Sequence, residues 1–71
     1  MTTEQKLEHI RWYLNQIRIS NNRETKLNYI YRASGALGAW FADMTISHEH
    51  FNTMNAELDI EFKALATGEQ V

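Results

Sequence analysis

The segment from Asn22 to Met44 constrains the fold of this 71-residue chain more than any other part of it. Between Arg32 and Asp43 lie ten consecutive residues without a charge. A stripe that is apolar except for one serine runs through the segment in steps of three and four, at Leu27, Ile30, Ser34, Leu37, Phe41 and Met44. This spacing predicts an amphipathic helix about 34 Å long. Because its middle is uncharged on every side, we expect the rest of the chain, or a second copy, to surround it.

The length of the chain predicts one domain, residues 1–71, whose core is only just large enough for stability. The absence of cysteine excludes disulfides and thiolate metal sites, so self-association is the favoured compensation. No apolar run reaches the length of a membrane span, and the polar residues 1–6 do not look like a signal peptide. We therefore expect a cytoplasmic protein that does not enter a membrane.

Two further helices are predicted on either side of the central one. Thr2 and Gln5 have the spacing of a capping box, Asn21 stands three residues before Glu24, and Ser47 can cap the third helix. The expected core positions are Leu7, Ile10, Leu14 and Ile17 in the first helix, and Phe51, Met54, Leu58, Phe62 and Leu65 in the third, which should end at Gly68. Short polar links make neighbouring helices antiparallel. The predicted fold is an all-α, three-helix antiparallel bundle, with helices near 3–18, 22–44 and 47–66, the second central and the whole dimeric.

One margin of the second helix is built mostly from small residues, at Tyr31, Gly35, Gly38 and Ala42. Small residues at this spacing let another backbone approach closely, either the third helix or a second subunit. Aromatic and aliphatic residues that lie off the predicted core stripes are further candidates for contact with a protein partner. For Trp12 the alternative is that it covers the edge of a neighbouring helix. The predicted interaction residues are Trp12, Ile19, Tyr31, Gly35, Gly38, Trp40 and Ile60.

The charges are divided unevenly along the chain. Residues 1–32 carry six Lys or Arg against three Asp or Glu, whereas residues 33–71 carry one against six. Attraction between the helices within the fold is the favoured interpretation, and a polar interaction surface is the other. The basic residues around the first turn also suggest phosphate contacts, although the net charge of −2 and the absence of a known motif argue against them. The residues of this nucleic-acid alternative are Arg11, Arg18, Arg23 and Lys26.

No pattern in the chain indicates catalysis or a cofactor. His48 and His50 are two residues apart, so they do not share a helix face and no metal site is predicted. No serine or threonine stands in a nucleophile motif, and Gly35 and Gly38 lie inside a helix rather than in a phosphate-binding loop. We expect no enzyme activity and no small-molecule substrate.

Residues 37–58 contain a local resemblance to a known module. The sequence Ile46-Ser47-His48-Glu49-His50-Phe51, followed by Ala56-Glu57-Leu58, resembles the short C-terminal module called SHOCT. That module is a small helical hairpin whose second helix starts with Ile-Thr-x-Glu-Glu-Phe and ends in Ala-Glu-Leu. Here the glycine usually found before the isoleucine is missing and histidines replace acids. The resemblance implies a role in oligomerisation.

These observations favour a small non-enzymatic protein–protein interaction module, an adaptor, inhibitor or regulator that acts as a homodimer. The alternative is a nucleic-acid-binding accessory protein that uses the basic turn between the first two helices.

Overall fold

The computed structural model describes residues 1–67 and folds them into three α-helices joined by two short turns. The helices are α1 (Thr3–Ile19), α2 (Arg23–Ala42) and α3 (His48–Thr67). The predicted all-α three-helix bundle is confirmed, and α2 is central because it packs more extensively on each neighbour than α1 and α3 pack on one another. None of these helices is long and apolar enough to cross a membrane. The cap predicted at Gly68 lies outside the described residues.

Side-chain caps fix where each helix begins. The Thr2 hydroxyl accepts a hydrogen bond from the Gln5 amide at 3.1 Å, and the Gln5 side chain accepts one from the Thr2 amide at 2.8 Å. This is the predicted capping box. Ser47 accepts a bond from the His50 amide at 3.0 Å and starts α3 as expected. Asn22, rather than Asn21, caps α2.

The C-terminus of α2 is closed by a Schellman motif without glycine. The amide of Met44 donates to the carbonyl of Phe41 at 3.0 Å, and that of Thr45 donates to the carbonyl of Trp40 at 2.9 Å. Met44 itself has a φ of 62°, the left-handed conformation that glycine usually supplies at this position. The predicted helix end at residue 44 was therefore too late, and Met44 lies outside the helical stripe.

The core face of α1 is the predicted one. The predicted positions Ile30 and Leu37 of α2 and Met54, Leu58 and Leu65 of α3 are buried as well, but in each of these helices a predicted position is shifted to the preceding residue. Ser34 is exposed, and Ala33 is buried in its place. Phe62 is 41% exposed, whereas Glu61 is buried. The described core consists of Leu7, Ile10, Leu14, Ile17, Ile30, Ala33, Leu37, Ile46, Met54, Leu58 and Leu65.

Two basic side chains from the start of α2 bind the ends of the other helices. The buried Lys26 donates from Nζ to the Ile17 carbonyl at 2.9 Å. Arg23 donates from Nη1 to the Leu65 carbonyl at 2.6 Å. Carbonyls in the last turn of a helix lack partners within the helix and favour positive charge. These bonds explain why Lys26 occupies a core position: its aliphatic stem packs inside while its ammonium group has a carbonyl to bind.

Candidate functional site

The outward side of α2 carries an exposed face of small, uncharged residues. We call it the α2 outer face, and it consists of Tyr31, Gly35, Gly38, Ala39 and Ala42, all exposed. A Cβ atom added to either glycine would meet nothing within 4 Å, apart from neighbouring backbone of α2. Neither α1 nor α3 therefore packs on the glycines, so of the two expectations, cover by the rest of this chain or by a second copy, the first does not hold at these two positions. The third helix is thus not the partner of this margin, and the second subunit stays a prediction.

Two charges of opposite sign stand at the ends of this face. Arg32 precedes the uncharged run and Asp43 follows it, and both side chains are exposed. Neither forms an ion pair with another residue in the range 1–67. Eleven positions, about three helical turns, separate them, so they are too far apart to neutralise each other along α2.

A groove between α2 and α3 adjoins the α2 outer face. Buried Ile30 and Leu58 contribute to its lining together with the exposed rings of Tyr31 and Phe62. Its volume is about 180 Å³. We call it the α2–α3 groove, and it is lined by Ile30, Tyr31, Ser34, Asn55, Leu58, Asp59 and Phe62. Tyr31 belongs to both surfaces, which makes them continuous.

The two tryptophans lie on a different side of the bundle, in an aromatic cluster between α1 and α2. The Trp12 ring stands edge-on to Tyr29, with centroids 5.9 Å apart. Trp40 is partly buried, and its ring lies 6.0 Å from His9, which also contacts Tyr13 at 4.8 Å. Trp12 thus packs on the edge of α2, which is the alternative given above to contact with a protein partner. About half of its surface is still exposed.

The remaining predicted interaction residues do not join these surfaces. Ile19 on α1 and Ile60 on α3 are both about two-thirds exposed, at 66% and 64%. Neither lines the α2–α3 groove. Of the seven residues predicted, the structure brings together Tyr31, Gly35 and Gly38 on the α2 outer face, and Trp12 and Trp40 in the aromatic cluster. Phe62 was missed as a surface residue, because the spacing from Leu58 suits position 61 and position 62 equally well.

The four cations of the nucleic-acid alternative have different surroundings. Lys26 and Arg23 bind carbonyls, as described above. The Arg18 Nε lies 3.3 Å from Glu61 Oε2, and the Glu61 side chain is only 7% exposed. Arg11 is exposed. Three of the four cations are therefore engaged within the fold, and the Arg18–Glu61 ion pair links the basic first part of the chain to the acidic second part.

The histidines at the start of α3 do not assemble a metal site. The His48 ring stands edge-on to Phe41 at 5.1 Å, and Nδ1 of His50 is buried without a hydrogen-bond partner in the described range. Among residues 1–67, no three His, Asp or Glu side chains are arranged to hold a metal ion.

Residues 37–58, which carry the SHOCT-like resemblance, form the last six residues of α2, the following turn and the first eleven residues of α3. Kinship with that module stays a prediction. Comparisons with protein-family models, with curated proteins and with solved structures found no match to this chain.

Proposed function

We propose that this chain is a non-enzymatic interaction module, an adaptor, inhibitor or regulator, that functions as a homodimer with the α2 outer face at its interface. The observation that carries the proposal is that this face is exposed, uncharged and uncovered. A helix that covers a core on one side normally presents charged and polar residues on the other. On α2 the exposed side chains between positions 33 and 42 are small instead. Small side chains allow a second helix to approach closely.

A two-fold dimer places the same face of α2 from each copy in contact. In an antiparallel pair that crosses near Gly38, Arg32 lies six residues before the crossing and Asp43 five residues after it. Arg32 of each copy then falls opposite Asp43 of the other. Arg32 and Asp43 form no ion pair in the described part of the chain, and in this dimer each would gain a partner from the other copy, which gives two ion pairs.

Aromatic residues beside the crossing would supply the area that small residues cannot. A standard interface buries roughly 800 Å² on each partner. That area is about a sixth of the 4746 Å² surface of this chain. Tyr31 and Phe62 are exposed aromatics that line the adjoining α2–α3 groove, and aromatic residues are enriched in protein interfaces. The proposed interface therefore includes the α2–α3 groove.

Replacement of Gly38 by glutamine tests this proposal. In the isolated chain the new side chain has free space, and glutamine forms helices better than glycine, so the monomer should gain about 0.5 kcal/mol of stability. At a helix crossing the same side chain would prevent close approach, and overpacking costs about 1–3 kcal/mol. Sedimentation equilibrium should show a dissociation constant raised about tenfold, while circular dichroism shows an intact helical fold.

Ala56→Gln is the matched control, because Ala56 is also exposed in mid-helix but lies on α3 outside the groove lining. This variant should dimerise like the wild type. A Gly38→Gln protein that dimerises as tightly as the control would contradict an interface at the α2 outer face.

The nucleic-acid alternative draws less support from these surroundings, because only Arg11 of its four cations has no partner in the described residues. Binding of a labelled oligonucleotide that weakens steeply with added salt would favour it over the dimer.

A further inference from the structure

The conformation of Met44 is unusual for its residue type. A left-handed backbone costs an L-residue roughly 1–2 kcal/mol, and glycine avoids that cost. Met44 nevertheless adopts a φ of 62°. Its side chain is 89% exposed, so it gains almost nothing from packing within its own chain. A strained backbone that presents a large apolar side chain to solvent points to a role outside the monomer.

The α2–α3 groove offers surroundings suited to a methionine. An apolar cavity of about 150 Å³ accommodates benzene, so a groove of similar size has room for the four heavy atoms of this side chain. The rings of Tyr31 and Phe62 flank the groove, and a thioether makes favourable contacts with aromatic rings. Methionine is also flexible enough to fit an irregular space.

The register of the proposed dimer brings the two features together. Met44 follows Gly38 by six residues, and Tyr31 precedes it by seven. In an antiparallel pair that crosses near Gly38, the turn after α2 of one copy therefore lies beside Tyr31 of the other. Both the turn and the groove lie on the side of α2 that faces α3. A two-fold axis that runs perpendicular to both helices places this side of each copy on the same side of the dimer.

We infer that Met44 of each copy enters the α2–α3 groove of the other and packs against Tyr31 and Phe62. This inference rests on the proposed homodimer. Because that dimer is two-fold symmetric, the contact forms twice, once in each groove. The strained turn then serves to project the methionine from the end of α2 toward the second copy.

Met44→Gly separates the two roles of this position, because it should change fold stability and dimer stability in opposite directions. Relief of the left-handed strain should raise the melting temperature of the monomer by about 4 °C or more. Loss of the side chain should raise the dissociation constant of the dimer at least tenfold, as measured by sedimentation equilibrium. A Met44→Leu variant keeps both the strain and an apolar side chain, and should lie closer to the wild type in both measurements.

Nuclear magnetic resonance locates the contact directly. A sample that mixes chains carrying [¹³C]methyl-methionine with unlabelled chains should show nuclear Overhauser effects from the Met44 methyl group to ring protons of the second copy. The methyl group of the buried Met54 is an internal control and should show no such effects to ring protons of the second copy. A wild-type dimer without these effects, whose dissociation constant is unchanged by Met44→Gly, would overturn this inference alone. A wild-type protein that stays monomeric would overturn the proposed function and this inference together.

Discussion

Two isoleucines of α1 allow the same substitution to be compared at a buried and an exposed position. Ile10 is 0% exposed in the middle of the helix, whereas Ile19 is 66% exposed at its end. Ile10→Ala removes three buried carbon atoms and leaves a cavity, which costs roughly 2–5 kcal/mol. A chain of this length has a total stability of about 4–11 kcal/mol. Ile10→Ala should therefore remove a large part of it.

The cost at Ile19 should be much smaller. Full burial of an isoleucine contributes about 1.5–3 kcal/mol, and only a third of this side chain is buried, so about 0.5–1 kcal/mol is lost. The better helix propensity of alanine offsets a few tenths of that. Neither residue lies on the α2 outer face, so dimerisation does not enter the comparison.

Thermal melts followed by circular dichroism should separate the two variants clearly. At roughly 4–8 °C per kcal/mol for a domain of this size, Ile10→Ala should melt at least 8 °C below the wild type, and Ile19→Ala within about 4 °C of it. Equal shifts for the two variants would refute the assigned register of α1 against the core.

Two smaller predictions concern the ends of the helices. Thr2→Ala removes the acceptor of the capping box and should cost about 1 kcal/mol in urea denaturation, and an unchanged midpoint would show that α1 does not depend on this cap. Added zinc or a chelator should leave the melting temperature unchanged, since no metal site forms within the described residues, and a zinc-dependent rise that His50→Ala abolishes would contradict this.

Features of the fold that depend on residues close together in the sequence were predictable. The capping box of Thr2 and Gln5 is a local pattern, and so is the cap at Ser47. The core stripe of α1 was also predictable, because α1 has few apolar residues outside it. These signals were sufficient for the number, order and approximate bounds of the helices.

The shifted core positions of α2 and α3 were not predictable, because they depend on contacts between residues distant in sequence. Lys26 fits the core because the end of α1 presents the Ile17 carbonyl to its ammonium group. Glu61 takes the buried position beside Phe62 because Arg18 lies opposite. In both helices an alternative stripe with the same spacing was available in the sequence.

The candidate site was predictable only in part for the same reason. Tyr31, Gly35 and Gly38 were found from their spacing on one helix. The α2–α3 groove was missed because Phe62 had been placed in the core. The left-handed conformation of Met44 was missed because this residue continues the apolar spacing of α2 and no glycine marks the end of that helix.

Sedimentation equilibrium of the wild-type chain tests the central claim most directly. Concentrations from about 1 µM to 1 mM cover association free energies of roughly −8 to −4 kcal/mol. The proposed homodimer predicts that the weight-average mass rises with concentration from the monomer value of 8.3 kDa toward twice that value. A mass that stays at 8.3 kDa over the whole range would contradict it.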